Sequence, residues 1–591
     1  MHSITSCSLR TTMETKLFED IVHLLQGVDW LYNYPMTQVF TRDMFRHMPA
    51  EWQTALQGLP LHALNGLPQC LALEPWPSSL KVFLGKCQRL SRLSQDFTRD
   101  SLTSEGSSSS HPQIPLELTL GLSAKKKHEI TTLLSVVKKM LDDTGSKHVL
   151  DIGSGKGYID SCIHRILHAQ VLGVEGNCKL MRSAEKHHWK LYGRCKGITF
   201  LNWHLSDNME ALCRASQLVS YLTELDTSCS CQTSTRGRNV SAKGASRTYS
   251  SSNTAGKEGP VVDGDSVSPD TECRDTTHSL SVSDDSVADD DVRPEGTCTL
   301  LGLHACADLS PIIIKLFRDC VQASSLVLLS CCYHKMSLHP KSADKPVSEE
   351  QDSPPLDSDE SEIHAECPNE GDLPQNEEES ICEGNDFLNF PMSQALQEVF
   401  RQNNFHMSVF GLRLGAQMSG QNWCTESPED HEYHMRNVAY RGILEAACVA
   451  EGLTVQKLRR RCVRKSGFRD FSEYKKNVFE NYQFLNTESV DTPIESASQG
   501  GSTQSNDQGE TVTTNSPISA TLDSCHEKYQ HYFPLIEPLT GLQLALQPVI
   551  EVMVQVDRLT YLKECGFSKV WLEKVFDVEI SPRNVALLAV R

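Results

Sequence analysis

The sequence predicts an α/β fold: a Rossmann-like parallel sheet covered by helices, preceded by an N-terminal helical domain and split by disordered acidic and Ser-rich insertions. Three observations predict it. Short apolar strands alternate with amphipathic helices after residue 125, the pattern of a parallel sheet. A turn with three glycines joins the first of those strands to a helix. Three polar stretches then interrupt the alternation without adding apolar periodicity.

The elements follow in order. Residues 14–100 form a helical domain, with Leu17, Ile21, Leu24 and Leu25, then Leu80, Phe83, Leu84, Cys87 and Leu90, at helical spacing. Trp30, Tyr32, Tyr34 and Trp52 supply its bulky groups, and a Ser-rich linker, 101–111, ends it. Residues 123–226 carry the first half of the core: a helix over 125–142, strand His148–Ile152, a helix through Ile159, Ile163, Ile166 and Leu167, strand Gln170–Glu175, a helix over 178–190 and strand Ile198–Leu201. Residues 227–297 are rich in Ser, Thr, Gly and Asp and cannot bury enough apolar surface to order themselves. The core resumes over 298–340 with a fourth strand, Cys298–His304, a helix around Ile312–Val321 and a fifth strand, Ser325–Ser330. An acidic insertion (341–386), a helical part (387–495, helices at 393–400 and 435–451), a polar linker (496–520) and a C-terminal part (521–591) complete the chain. The last part holds a helix over 542–564 and a final strand, Val585–Val590.

A chain of 591 residues exceeds the roughly 250–300 residues at which single cores stop growing. Its net charge of −20 excludes attraction of the whole molecule to nucleic acid or an anionic membrane. That charge sits in the insertions: residues 341–386 carry −14 and residues 227–297 carry −5, which leaves the rest near neutral. The N-terminus lacks the basic and apolar regions of a secretory signal, and no uninterrupted apolar run reaches about 18 residues. Twenty-two cysteines in such a chain read as reduced thiols. The expectation is a soluble protein, cytoplasmic or nuclear.

The run Asp151-Ile152-Gly153-Ser154-Gly155-Lys156-Gly157 places glycines at alternate positions between strand and helix. Glycine lets the backbone approach a ligand without a Cβ clash. The spacing differs from the G-x-G-x-x-G of nicotinamide and flavin enzymes. Pyrophosphate favours a helix N-terminus free of acids, whereas Asp151 suits a ligand with a positive amino group, and S-adenosylmethionine is the cofactor expected. Glu175, closing the second strand, is placed to accept both ribose hydroxyl protons. Asp207, after the third strand, is a candidate for the adenine edge, with Leu205 beside it. A tight structural turn explains the glycines alone, and a solvated loop acid explains Asp207 alone. The whole series of strand, acid, glycines, helix, strand and acid is more specific.

The fourth and fifth strands end in Gly302-Leu303-His304-Ala305-Cys306-Ala307-Asp308-Leu309 and Ser330-Cys331-Cys332-Tyr333-His334-Lys335. These loops converge where a methyl group would be transferred, so His304, Asp308, Tyr333 and His334 are the catalytic or substrate candidates. In-line transfer needs alignment, and an imidazole serves where the acceptor must lose a proton. Two other readings stand beside this one. His304, Cys306, Cys331, Cys332 and His334 are metal-ligand types but lack finger spacing, so no metal is assigned. Alternatively, the cysteines finish a buried strand and the histidines bond backbone. No Asn/Asp-Pro-Pro-Tyr/Phe segment follows the fourth strand, which disfavours N6-adenine chemistry.

These strings, together with Lys125–Glu129, Arg436–Arg441 and Ser581–Leu587, resemble the methyltransferase-like protein 25 family. The resemblance runs from the N-terminal helices to the last residue, outside the three insertions. It implies a class I S-adenosylmethionine-dependent methyltransferase domain and delivers no substrate. It also implies glycine where this chain has Ala307. Residues 457–476 carry a local charge of +7, with Phe468, Phe471 and Tyr474 interleaved. Contact with RNA phosphates is one reading, and a solvated helix face is the other. The expected activity is methyl transfer to a macromolecular acceptor, RNA or protein; the alternative is a non-catalytic cofactor-binding scaffold.

Overall fold

The computed structural model describes residues 2–99, 112–193, 195–224, 296–339, 386–417, 420–458, 468–486 and 516–591. The three insertions expected at 227–297, 341–386 and 496–520 lie almost wholly outside the described residues, as do the 101–111 linker and residues 459–467 of the basic stretch.

Among the described residues, ten strands form two sheets. They are β1 (Thr98–Arg99), β2 (His148–Ile152), β3 (Gln170–Glu175), β4 (Ile198–Asn202), β5 (Cys298–Cys306), β6 (Ala323–Cys331), β7 (Leu453–Lys457), β8 (Tyr482–Asn486), β9 (Lys569–Lys574) and β10 (Val585–Val590). The large sheet runs β1-β9-β10-β6-β5-β2-β3-β4. Strands β2 to β6 are mutually parallel, and β10 is antiparallel to both β6 and β9. This is a mostly parallel, Rossmann-like sheet with an antiparallel C-terminal strand inserted. Its order reverses between β2 and β5, so a ligand belongs at the carboxyl ends of those strands. β2 is buried along its whole length, as strands covered on both faces are.

Each face has its own packing. The helix Ala124–Thr144 and the helical segment 158–167 cover one face, through Leu133, Val137, Met140 and Ile163. The other face is continuous with a large helical core. There the helix Phe533–Glu564 is central, packed by the helices His2–Gln26, Ser78–Phe97, Gln394–Gln402, Val409–Gly415 and Pro428–Glu451. The N-terminal helices thus share their core with the C-terminal ones. Lys563 Nζ pairs with the buried Glu14 at 2.6 Å, and Gln543 donates to the Leu31 carbonyl at 2.8 Å. The segment Pro517–Glu564 is long and apolar enough to cross a membrane by length and composition, but here its apolar residues form the centre of a core.

Strand β9 and the two-stranded β7–β8 sheet go beyond the elements read from sequence. In β9, Lys569-Val570-Trp571-Leu572-Glu573-Lys574, charges obscure the apolar run. Glu573 is nevertheless buried, and it accepts the Trp571 indole N–H at 3.0 Å. The basic stretch is corrected in part. Phe468 and Tyr474 are buried and Phe471 stacks on His526, so these rings do not offer faces to bases. Arg469 pairs with Glu473 and Lys475 with Asp523.

Candidate cofactor site and reacting edge

The turn after β2 explains its glycines. Gly153, Gly155 and Gly157 have φ of 86°, 58° and 69°, a region that disfavours any residue with a Cβ. Space adds to conformation at Gly157, where a Cβ would lie 2.6 Å from the Phe200 ring and 3.2 Å from Ala184. Gly153 and Ser154 donate to the Val174 carbonyl at 2.8 and 3.1 Å, tying the turn to β3.

Glu175 is held from both sides. Its Oε2 accepts the Gly155 N–H at 2.8 Å, and its Oε1 accepts the Asn177 N–H at 2.8 Å. Each carboxylate oxygen keeps a further lone pair, so the orientation is fixed while the capacity to accept hydroxyl protons remains. Asn202 and Trp203 hold the same turn through its carbonyls, and His204 stands over Gly176, where a Cβ would meet its Nδ1 at 3.2 Å. Sequence reasoning missed Asn202 and His204, because only the register of β3 with β4 brings them to Glu175.

Asp151 is buried beneath the turn and is joined by Asp160, a partner also missed. Asp151 Oδ1, both Asp160 carboxylate oxygens and Ser154 Oγ are buried without a hydrogen-bond partner among the described residues. Burial pushes Asp151 up to about 6, and the nearby Glu175 charge adds repulsion. Burial, with the neighbouring Asp151, pushes Asp160 well above the carboxylate range. An orphaned acceptor backed by a second carboxyl suits a cationic ammonium and repels pyrophosphate.

Asp207, the candidate for the adenine edge, is engaged by another side chain. It takes a bidentate contact from Lys315 Nζ at 2.8 and 3.1 Å. Lys315 also donates to Asn389 Oδ1 at 2.7 Å, and Asn389 Nδ2 donates to Asp308 Oδ1 at 2.8 Å. Asp308 Oδ2 accepts both the N–H and the hydroxyl of Ser337. Asp207 and Asp308 are therefore two ends of one network that fastens loops together, and Leu205 is buried in the core.

The other three candidates also separate. Tyr333 is 1 % exposed, with the Arg558 guanidinium 5.3 Å over its ring and its hydroxyl bonded to Glu551, and burial drives its hydroxyl pKa up. It is a core residue. His334 is half-buried, its Nδ1 has no partner among the described residues, and burial pushes its pKa down to about 4. His304 sits on a break in β5 between Gly302 and Ala305 with φ of 56°. Its Nε2 lies 3.1 Å from Oε1 of the buried Glu129, which also accepts the Ser581 hydroxyl at 2.6 Å. Burial works against charge on Glu129, but His304, Ser581 and Lys125 together hold its pKa low. The structure thus pairs an imidazole with an orienting carboxylate.

Beside His304, the Sγ atoms of Cys306, Cys331 and Cys332 lie within 4.8 Å of one another. The cysteines among the described residues are free.

Residues 125–339 match the family model of a methyltransferase domain. The chain is also similar to two probable methyltransferase-like protein 25 sequences. It is 21% identical to that of Mus musculus over 526 residues, which is 80% of this chain and 75% of the relative. To that of Homo sapiens it is 22% identical over 533 residues, with the same coverage. The chain therefore carries a methyltransferase domain and is similar to methyltransferase-like protein 25 sequences along most of its length. No solved structure matches it. The matched span starts at the helix carrying Glu129 and ends beyond β6, so it contains the glycine turn, Glu175, His304 and the three thiols.

Proposed function

We propose that this methyltransferase domain uses S-adenosylmethionine to methylate a macromolecular acceptor, RNA or protein. The observation that carries the reading is the Glu175 clamp, a carboxylate pinned by two backbone N–H groups directly beside the glycine turn. The cofactor, when bound, supplies an electrophilic methyl group. Gly153, Gly155 and Gly157 let the backbone close on it, Asp151 takes the ammonium and Glu175 accepts from the ribose. His304, oriented by Glu129, is the group placed to take a proton from the acceptor.

Calorimetric titration of the full chain with S-adenosylmethionine tests the first half, with NADH as control. Saturable binding that falls by about 10- to 100-fold in Glu175→Ala, the loss expected for charged hydrogen bonds, supports the reading. Absence of binding in folded protein overturns it. Release of S-adenosylhomocysteine with RNA or protein fractions tests the second half. Tight binding without release from either fraction would favour a non-catalytic scaffold.

A further inference from the structure

Cys306 and Cys331 end the neighbouring parallel strands β5 and β6 and are directly paired in register. Their Sγ atoms lie 2.8 Å apart. Cys332 comes next in the chain, and in a continuing strand its side chain would leave by the opposite face. It instead adopts φ of 49°, a left-handed conformation that costs a non-glycine residue about 1–3 kcal/mol. That turn returns its Sγ to the other two, and the three sulfurs fall within 4.8 Å of one another. His304 and Ala307, on the facing strand end, also have positive φ of 56° and 51°. Three left-handed non-glycine residues thus border one thiol cluster.

We infer that Cys306, Cys331 and Cys332 form a binding site for a soft divalent cation, with zinc the natural occupant. A tetrahedral zinc about 2.3 Å from each sulfur spaces its ligands about 3.8 Å apart, so the cluster has the right dimensions once the Cys306–Cys331 contact opens by about an ångström. Thiolates select zinc over magnesium or calcium. Each thiol loses its proton to solvent as it binds. The third cysteine favours a cation over a Cys306–Cys331 disulfide, since a disulfide needs an oxidant and gives no reason for the strained turn at Cys332. His334, although a ligand type, lies outside the 4.8 Å group, so the protein supplies three donors. Cys306 is exposed and Cys332 half-buried, which leaves the fourth position open to water or substrate. Three protein ligands and an open position are the pattern of reactive zinc rather than structural zinc. The site stands at the carboxyl ends of the strands, where open α/β sheets take ligands.

The test is anaerobic titration of the reduced, demetallated full chain with Co2+, followed by displacement with Zn2+. The expected result is a thiolate-to-cobalt charge-transfer band saturating at about one equivalent per chain, abolished by zinc. Cys306→Ser and Cys332→Ser should each weaken binding by more than about 100-fold, while Cys213→Ser, at an exposed cysteine on the helix Met209–Glu224, leaves it unchanged. Circular dichroism confirms that each variant is folded, and Cys306→Ser, at the exposed position, is the one least able to disturb the core. A folded wild type without the band overturns the site, as does a band that survives Cys306→Ser. A Cys306–Cys331 disulfide in protein isolated without reductant overturns it in favour of a redox pair.

Discussion

Ala307 has φ of 51°, and it occupies the position where the family resemblance implies glycine. A methyl group there carries a left-handed penalty of about 1 kcal/mol or more. Ala307→Gly should therefore raise stability by about 0.5–1 kcal/mol, partly offset by the larger entropy of glycine in the unfolded chain. A chemical denaturation midpoint lower than wild type would sink the idea. At Gly157 the sign reverses: Gly157→Ala meets Phe200 and Ala184 as well as an unfavourable φ, and should cost about 1–3 kcal/mol. Asp151 gives a pH prediction. Its pKa is raised from 3.8 to about 6, so between these values the folded state keeps a proton that the unfolded chain has released. Stability must fall as pH rises through that window and level off above it, by about 3 kcal/mol at most. Asp557, also raised from 3.8 to about 6 by burial, acts in the same direction. Asp160→Asn should raise the melting temperature at pH 7 more than at pH 4, and an equal shift at both would refute the coupling. An ammonium ligand needs charged Asp151, so its affinity should drop as pH falls below about 6. At this scale the left-handed glycines of the turn were legible, because backbone conformation is a local property of a residue. The partners were not. Glu129 reaches His304 from 175 residues away, and Lys315 claims Asp207 from 108.

Strands announced themselves where burial on both faces required an apolar run, as at Val149–Leu150 in β2, Val171–Val174 in β3 and Leu326–Leu329 in β6. Strand β9 did not, because Glu573 is buried with its charge held by Trp571, and no periodicity reveals a compensated charge. The network around Asp308 was equally hidden. The sequence shows an acid at a strand end, whereas the structure shows an acid that joins Ser337 to Asn389. Elements are fastened in the same way farther along. The helix Phe533–Glu564 presents the fully buried Asp557 to the start of the helix Gln394–Gln402. There it accepts the Met392 and Ser393 N–H groups at 2.8 and 2.9 Å and the Ser393 hydroxyl at 2.6 Å. Asp557→Ala would strand those donors in the core and should cost about 3–5 kcal/mol. Urea denaturation checks it, and a loss below about 1 kcal/mol would mean that water replaces the carboxylate.

Seen whole, the molecule is a mostly parallel sheet fused along one face to a helical body drawn from both ends of the chain. Leu150 and Ile152 of β2, Leu300 of β5 and Leu326 of β6 belong to the same core as Phe18, Ile21 and Leu25 near the N-terminus. The sequence suggested a helical domain that ends before the catalytic core, since a polar linker separates the two. It could not show that these helices bury their apolar stripe on the helix Phe533–Glu564, because that pairing spans most of the chain. Removing residues 1–111 would uncover that helix, including Leu542, Leu546, Val549 and Met553, each at 0 % exposure. An apolar surface of this kind exceeds what a soluble monomer tolerates and drives association. A piece spanning 112–591 should therefore aggregate or melt far below the full chain, even though it retains the glycine turn, Glu175 and the thiol cluster. Size-exclusion chromatography and thermal denaturation of the two proteins side by side decide the matter. A monodisperse piece with an unchanged melting temperature would show that the sheet stands alone and that the N-terminal helices are an appendage.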